Sequence, residues 1–490
     1  VAHEGSAYID GQWVNGSGGR LVLVDPATET AFAEALDGSA GDVAHAVDSA
    51  GRALREGSWR RRGIDHRLEV LARVIEGIGA EREALAALHT RQMGSPITAS
   101  RALVDGTARM FAAYRAGAAK IDARYLRRDA VGQSIIRRDP VGVVAVIIPW
   151  NGPLASVVSK VVPALIAGCS VVVKPAPSTP LEAYRFAELC TEAGVPDGVV
   201  NVVSGGAETG EQLICADGVD QVNFTGSTVA GRRVGELCGG RFRRVSLELG
   251  GKSAAVLLDD ADLDVAVPAL TMANFFNAGQ ICVSLSRVLV PRARMREVTD
   301  RLAEAADALV VGDPTDEATM MGPLASEAQL RRVESYVERG RGAGATVLTG
   351  GSRPTDRPSG WYYRPTIFVD VDNEMVIAQE EIFGPVMCVI GYEDEAEAVT
   401  IANHSRYGLH GAVFGADPER ALSVARALET GSVTINGAGL TPGTPYGGVK
   451  SSGLGRDHGR EGIESFLELH SYVVPAELVD SRQADGWALR

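Results

Sequence analysis

"VGVVAVIIPWNGP", residues 141–153, begins as an apolar run and ends in two prolines that bracket Trp150, Asn151 and Gly152. The run falls well short of the roughly 18 residues a membrane span needs. Its β-branched content and its stop at Pro149 predict a buried strand. Four similar runs follow: "CSVVVKP" (169–175), "GVVNVVSG" (198–205), "QVNFTGS" (221–227) and "RRVSLELGG" (243–251). Helical spacing fills the gaps at 154–167, 180–193, 207–215 and 229–238. Strand and helix in alternation predict a parallel sheet with helices on both faces. Ligands on such a sheet bind beyond the carboxyl ends of its strands.

Upstream, "AYIDGQWVNGSGGRLVLVDPAT" (7–28) alternates short apolar runs with Asp-Gly and Asn-Gly, which is hairpin chemistry. Residues 40–118 carry amphipathic helical spacing, as in "RLEVLARVIEGIGAEREALAALH" (67–89). Downstream, from 251 to 450, a second alternation includes "SAAVLLDD", "SRVLVP", "YRPTIFVDV", "VMCVIGY" and "GSVTIN", and predicts a second α/β domain. "DDADLDVAV" (259–267) lacks the glycine and terminal glutamate of a calcium loop and reads as an acidic helix start.

At 490 residues the chain exceeds one ordinary core. Its formal charge of −14 argues against non-specific binding to nucleic acid or anionic membrane, which requires basic surface. The densest basic stretch, "REGSWRRRG" (55–63), reads as a solvated helix end and loop. The first ten residues show no basic region followed by an apolar core, and the triplets at Asn15 and Asn403 carry little weight as glycosylation acceptors without secretion. Six scattered cysteines without a CxxC or metal spacing predict free thiols in a reducing cytoplasm and no metal site. Of 48 basic residues five are lysine, at 120, 160, 174, 252 and 450, which is either chance or a sign of places where a compact ammonium suits better than a planar fork; Lys174 in "VVVKPAPSTP" and Lys252 in "LELGGKS" draw attention for this reason.

Several residues could carry chemistry. Gly226 and Ser227 in "FTGSTVAG" sit where a strand gives way to a helix, a competent anion site and equally an ordinary capped helix start. Lys174 follows a strand ending in the same crevice, where it could donate to ribose hydroxyls or be merely solvated. Asn151 follows a buried strand and could donate to a developing oxyanion, or serve an Asx turn. Glu248 lies between two leucines; it either faces water or, buried, has a raised pKa suited to general-base work. Cys282, after Gly279-Gln280, is either packing or a thiol that needs activation. Glu381 and Phe383 precede a Gly-Pro turn.

Together and in order, "PWN", "KPAPSTP", "FTGS", "LELGGKS", "GQIC", "EEIFGPV" and "YGGVKSSGLGR" resemble the aldehyde dehydrogenase superfamily from about residue 8 to residue 472. The resemblance implies a Rossmann-like cofactor domain (1–118 and 141–250), an α/β catalytic domain (251–450), and a β oligomerisation arm with a C-terminal segment (119–140 and 451–490). It implies a homodimer or homotetramer. It further implies that Cys282 attacks an aldehyde, that Asn151 and the Cys282 N–H hold the oxyanion, and that Glu248 activates water to release the acid. The same resemblance gives Lys174 the adenosine ribose of NAD, Gly226 and Ser227 the pyrophosphate, and Glu381 the nicotinamide ribose beside Phe383. Ile148, Pro149, Trp150, Leu249 and Gly250 complete the expected cofactor wall.

Two departures from the family pattern stand out. An acidic residue that grips the ribose 2′-OH in many NAD-preferring members is Pro177 here, so NAD is expected to be preferred with NADP tolerated. Positions often aromatic at the aldehyde entrance read Gly152, Ala155, Ser156, Ser159 and "GAGLTPGT" (437–444), which predicts a wide tunnel poor in aromatics and a bulky substrate. Competing readings are a CoA-acylating semialdehyde dehydrogenase, a cofactor-free thioesterase, and a non-enzymatic scaffold. The retained Glu248 and Cys282 argue against the first and the last.

Overall fold

The computed structural model describes residues 5–437 and 439–475. The expected segments at 1–4 and 476–490, and Ala438 within the entrance stretch, lie outside the described residues.

The strand at the centre of the first sheet is Val143–Ile147, and all five of its residues are buried. Ser170–Lys174 pairs with it on one side and Gln221–Thr225 on the other, both parallel. Val200–Val202 and Arg244–Glu248 extend the sheet outward in parallel. The helices Pro153–Ala167, Leu181–Glu192, Ala207–Cys215 and Thr228–Gly239 make the crossovers. Such a sheet is covered on both faces, so its strands read as continuous apolar runs. Each fully buried valine in it contributes about 1.5–3 kcal/mol. Strand order reverses at Val143–Ile147, which opens a crevice at the carboxyl ends of that strand and of Gln221–Thr225.

The hairpin Ser6–Ile9 and Gln12–Asn15 turns at Asp10-Gly11, where both residues have positive φ, and it joins the sheet edge through Tyr8 opposite Val202. Asn15-Gly16 closes no hairpin, contrary to its composition: the next strands, Gly19–Asp25 and Thr30–Asp37, pair only with each other. At the opposite edge Gly453–Leu454 pairs antiparallel with Leu247 and Glu248.

A second sheet of seven strands runs Thr346–Thr349, Thr366–Val369, Val386–Tyr392, Arg287–Pro291, Ala254–Leu257, His410–Phe414, Ser432–Ile435. All its pairs are parallel except the first. A third, antiparallel sheet joins Arg124–Arg128, Gln133–Pro140 and Leu467–Val474, and leaves Leu469, Tyr472 and Val473 exposed. The acidic stretch at 259–267 does start a helix: Asp262 caps Leu263–Phe275 by accepting the N–H of Asp264. Within "REGSWRRRG", Trp59 departs from the solvated reading. It is buried and donates its indole N–H to the Leu165 carbonyl at 3.0 Å. No helix among the described residues is long and apolar enough to cross a membrane.

Candidate active site

The crevice opens into a cavity of about 590 Å³. Pro149, Trp150 and Asn151 wall it from the central strand, and Gly226 and Ser227 from the neighbouring strand end. Leu249 and Gly250 close one side, and Cys282, Glu381 and Phe383 reach in from later in the chain. Ser227 also caps the helix Thr228–Gly239 by accepting the Ala230 N–H, so its capping reading holds. Four expected residues do not reach this wall. Ile148 is buried behind it, extending the ladder through its N–H to the Lys174 carbonyl. Pro177 is exposed. Lys174 is buried rather than solvated: its Nζ donates to the carbonyls of Pro175 at 3.0 Å and Gly205 at 2.6 Å, which leaves one ammonium hydrogen unused. Burial lowers its ammonium to about 8, against the pull of Asp37. Glu248 stands behind the wall, as described below.

Asn151 and the Cys282 loop hold each other. The Asn151 Nδ2 donates to the Gln280 carbonyl at 2.9 Å, and the Asn277 Nδ2 donates to the Asn151 carbonyl at 3.0 Å. An amide nitrogen has two hydrogens, so Asn151 keeps one donor for the cavity. Asn277, Ala278 and Gly279 all have positive φ, a strained run that persists only where its surroundings enforce it. The enforcement is visible. Gln280 is fully buried, donates to the Asn277 carbonyl and accepts the Ala325 N–H. A Cβ on Gly279 would lie 2.2 Å from the Gly384 carbonyl oxygen, so that loop and the Glu381–Phe383 loop pack backbone to backbone. Cys282 itself is half-buried, not sealed in a core. Burial pushes its thiol up to about 11, while the Tyr446 hydroxyl 2.9 Å from Sγ pulls the other way.

Glu248 ends its strand 3 % exposed, with neither carboxyl oxygen hydrogen-bonded. Gly447 makes its space: a Cβ there would meet the Glu248 Oε1 at 2.4 Å. Burial, and then the nearby Asp457 carboxylate, raise Glu248 well above the usual carboxylate range, with Lys160 and Arg456 opposing. A buried carboxyl without partners is costly, and such groups gather where chemistry needs them.

Glu381 accepts the Gly251 N–H at 3.0 Å. Burial raises its carboxyl to about 7, and that hydrogen bond opposes the rise. Phe383, at φ 62°, meets Trp150 edge to face with centroids 5.3 Å apart. Gln329 and Arg332, one turn apart on the helix Glu327–Gly342, grip the carbonyls of Glu381, Ile382 and Phe383 and so sustain that strained backbone.

Sequence reading missed several of these groups. Arg232, Arg332 and Arg406 bring three guanidiniums to the cavity. Lys160, 2 % exposed, donates to Asn223 Oδ1 and Asp457 Oδ2, each at 2.6 Å. Lys160 is one of only five lysines, and its place in an apolar helix is the signal that calls for a buried partner. Tyr446, inside the quoted "YGGVKSSGLGR", went unremarked.

On the other side of Cys282 lies a mostly apolar hollow of about 360 Å³, walled by Met272, Phe276, Ile281, Val283 and Gly439. Phe276 adds one aromatic to that wall. The small positions remain small: a Cβ added at Gly152 would meet nothing within 4 Å.

Residues 13–472 match the model of the aldehyde dehydrogenase family. The chain is 43% identical over 470 residues to geranial dehydrogenase of Castellaniella defragrans, covering 95% of this chain and 98% of that one. It is 42% identical to 3-succinoylsemialdehyde-pyridine dehydrogenase of a Pseudomonas species, covering 95% and 98%. Among solved structures, an aldehyde dehydrogenase of Mycobacterium tuberculosis complexed with NAD+ superposes with a TM-score of 0.94 at 39% identity, covering 96% of this chain and 98% of that one. Aldehyde dehydrogenase C of Pseudomonas syringae, a cysteine-to-alanine mutant complexed with NAD+ and octanal, gives 0.94 at 40% identity, covering 97% and 98%. Sheet order, the thiol loop and this match along nearly the whole length agree: the chain belongs to the aldehyde dehydrogenase family.

Proposed function

We propose that this chain oxidises bulky, apolar aldehydes to carboxylic acids with NAD, through Cys282. The observation that carries the reading is the position of Cys282, which borders the crevice cavity while its neighbours Ile281 and Val283 wall the apolar hollow. The residues fit a dinucleotide. A helix N-terminus at Ser227 and the guanidiniums of Arg232 and Arg406 suit a diphosphate, and the Glu381 carboxyl suits a ribose. NAD, when bound, supplies the hydride acceptor.

The chain's own groups do the rest. The Cys282 thiolate forms a bond to the carbonyl carbon, and the carbonyl π pair moves to oxygen. Asn151 Nδ2 and the Cys282 N–H stabilise that oxyanion. After oxidation the acyl group sits on sulfur as a thioester. Glu248 takes a proton from water, the new hydroxyl attacks the thioester carbon, and Cys282 leaves as thiolate.

Substrate size is read from Gly152 and the hollow beside Cys282. The geranial dehydrogenase and octanal complex among the relatives support the same class. An aldehyde panel tests it. Aldehydes of about eight to ten carbons are expected to exceed acetaldehyde in kcat/KM by about tenfold or more. Gly152→Phe is expected to remove most of that advantage and leave acetaldehyde within about threefold. Acetaldehyde turned over best by the wild type overturns the reading.

For the cofactor, no carboxylate stands at Pro177, but Asp37 acts electrostatically on Lys174 and would oppose a 2′-phosphate there. NAD is expected to exceed NADP in kcat/KM by about tenfold, with NADP still turned over; NADP favoured by that factor contradicts it. We read the arm at 119–140 and 466–475 as the contact of a homodimer or homotetramer, its exposed Leu469 and Val473 facing a second copy. We assign residues 1–118 and 141–250 to the cofactor domain and 251–450 to the catalytic domain. Six unpaired cysteines support a reducing cytoplasm.

A further inference from the structure

Tyr446 is the side chain in hydrogen-bond contact with the Cys282 sulfur, at 2.9 Å. Its ring stacks on the His458 imidazole with centroids 5.0 Å apart and planes 21° from parallel. Its backbone bonds Asp457 in both directions, N–H to carbonyl at 2.8 Å and carbonyl from N–H at 2.7 Å. Asp457 is in turn held by the buried Lys160. The phenol is therefore fixed on three sides, and aiming its hydroxyl at sulfur costs little further entropy.

The direction of that bond follows from the groups present. A phenol O–H is a good donor, and a thiolate accepts better than a thiol donates. The carboxyls of Glu248 and Glu381 both oppose charge on Cys282, and the apolar burial opposes it more. Against them stand the Tyr446 hydroxyl and the Val283 N–H. Around Tyr446 itself the titratable neighbours are Cys282, Glu248, Asp457 and His458.

We propose that Tyr446 is a catalytic residue: its O–H donates to the Cys282 thiolate, keeping Sγ ionised and aimed at the incoming carbonyl. This rests on Cys282 being the nucleophile. No proton changes hands. The hydrogen bond strengthens as charge collects on sulfur and weakens as the S–C bond forms. It strengthens again when thiolate departs from the thioester. A phenylalanine would keep the ring's packing and lose the donor.

The test is the pH dependence of iodoacetamide alkylation at Cys282 in cofactor-free protein, followed by mass on the Cys282 peptide. Tyr446→Phe is expected to move the midpoint up by about one pH unit and to slow alkylation at neutral pH about five- to tenfold. Tyr446→Leu, which carries no hydrogen-bond donor on its side chain, is expected to do the same, so a folding defect in one variant leaves the other informative. Thermal melts matching wild type establish that either variant is folded. An unchanged or lowered midpoint in a folded variant overturns the proposal. Failure of the underlying reading looks different: Cys282→Ala would keep dehydrogenase activity, whatever the alkylation curves show.

Discussion

Cys282→Ala is expected to abolish aldehyde oxidation, lowering kcat by about ten-thousandfold or more, while NAD affinity stays within about threefold. The size of the loss follows from the absence of a substitute. The other cysteines lie elsewhere: 169, 190, 238 and 388 are buried outside the cavity, and Cys215 ends a helix. Without sulfur the carbonyl carbon has no partner to make tetrahedral, and the Asn151 donor has no oxyanion to hold. Cofactor affinity should survive, because the crevice groups at Ser227, Arg232 and Glu381 are untouched. Isothermal titration with NAD and a steady-state assay on one preparation read both.

Glu248→Gln is expected to separate the two half-reactions. The carboxyl makes no hydrogen bond in the protein, so the isosteric amide breaks none. Acylation of Cys282 does not need this carboxylate, and a burst of NADH close to one per active subunit is expected. Hydrolysis does need it, and the steady-state rate is expected to fall by about a hundred- to ten-thousandfold. The pH profile carries the same signature. Burial first, and Asp457 second, raise the Glu248 pKa, so the carboxyl holds its proton to higher pH than an exposed glutamate. The base is the deprotonated form. Wild-type hydrolysis therefore slows as pH falls through that raised pKa and recovers above it, and the variant loses this limb. Stopped-flow absorbance measures the burst, and the pH series measures the limb.

How far the chain could be read in advance depends on what each residue's role requires. Buried parallel strands need unbroken β-branched runs, so Val143–Ile147 and its four parallel neighbours stood out as segments. Asp10-Gly11 needs two positive φ values and announced its turn, whereas Asn15-Gly16 has the same chemistry and closes none, because the next strand pairs elsewhere. Cys282, Asn151 and Glu248 were legible as types at particular places beside glycines and strand ends. Tyr446, Arg232 and Arg406 were not: they reach the cavity by tertiary folding, and no local pattern records which sulfur or cavity a side chain will meet. The burial of Lys174 is not legible at its strand end, which gives no notice of the Gly205 carbonyl that arrives from the next crossover. For the same reason the sequence around Glu248 is compatible with both a wet and a buried carboxyl. The deciding neighbour is Gly447, which lies far along the chain and whose missing side chain leaves room for the carboxyl.

The most direct measurement is the mass of the Cys282 peptide from Glu248→Gln quenched after mixing with NAD and an apolar aldehyde. The expected result is an adduct equal to the aldehyde less two hydrogens, carried on Cys282 and lost on treatment with hydroxylamine. An unmodified Cys282 peptide from protein that has already reduced one equivalent of NAD, or the acyl group found on another residue, would contradict the account.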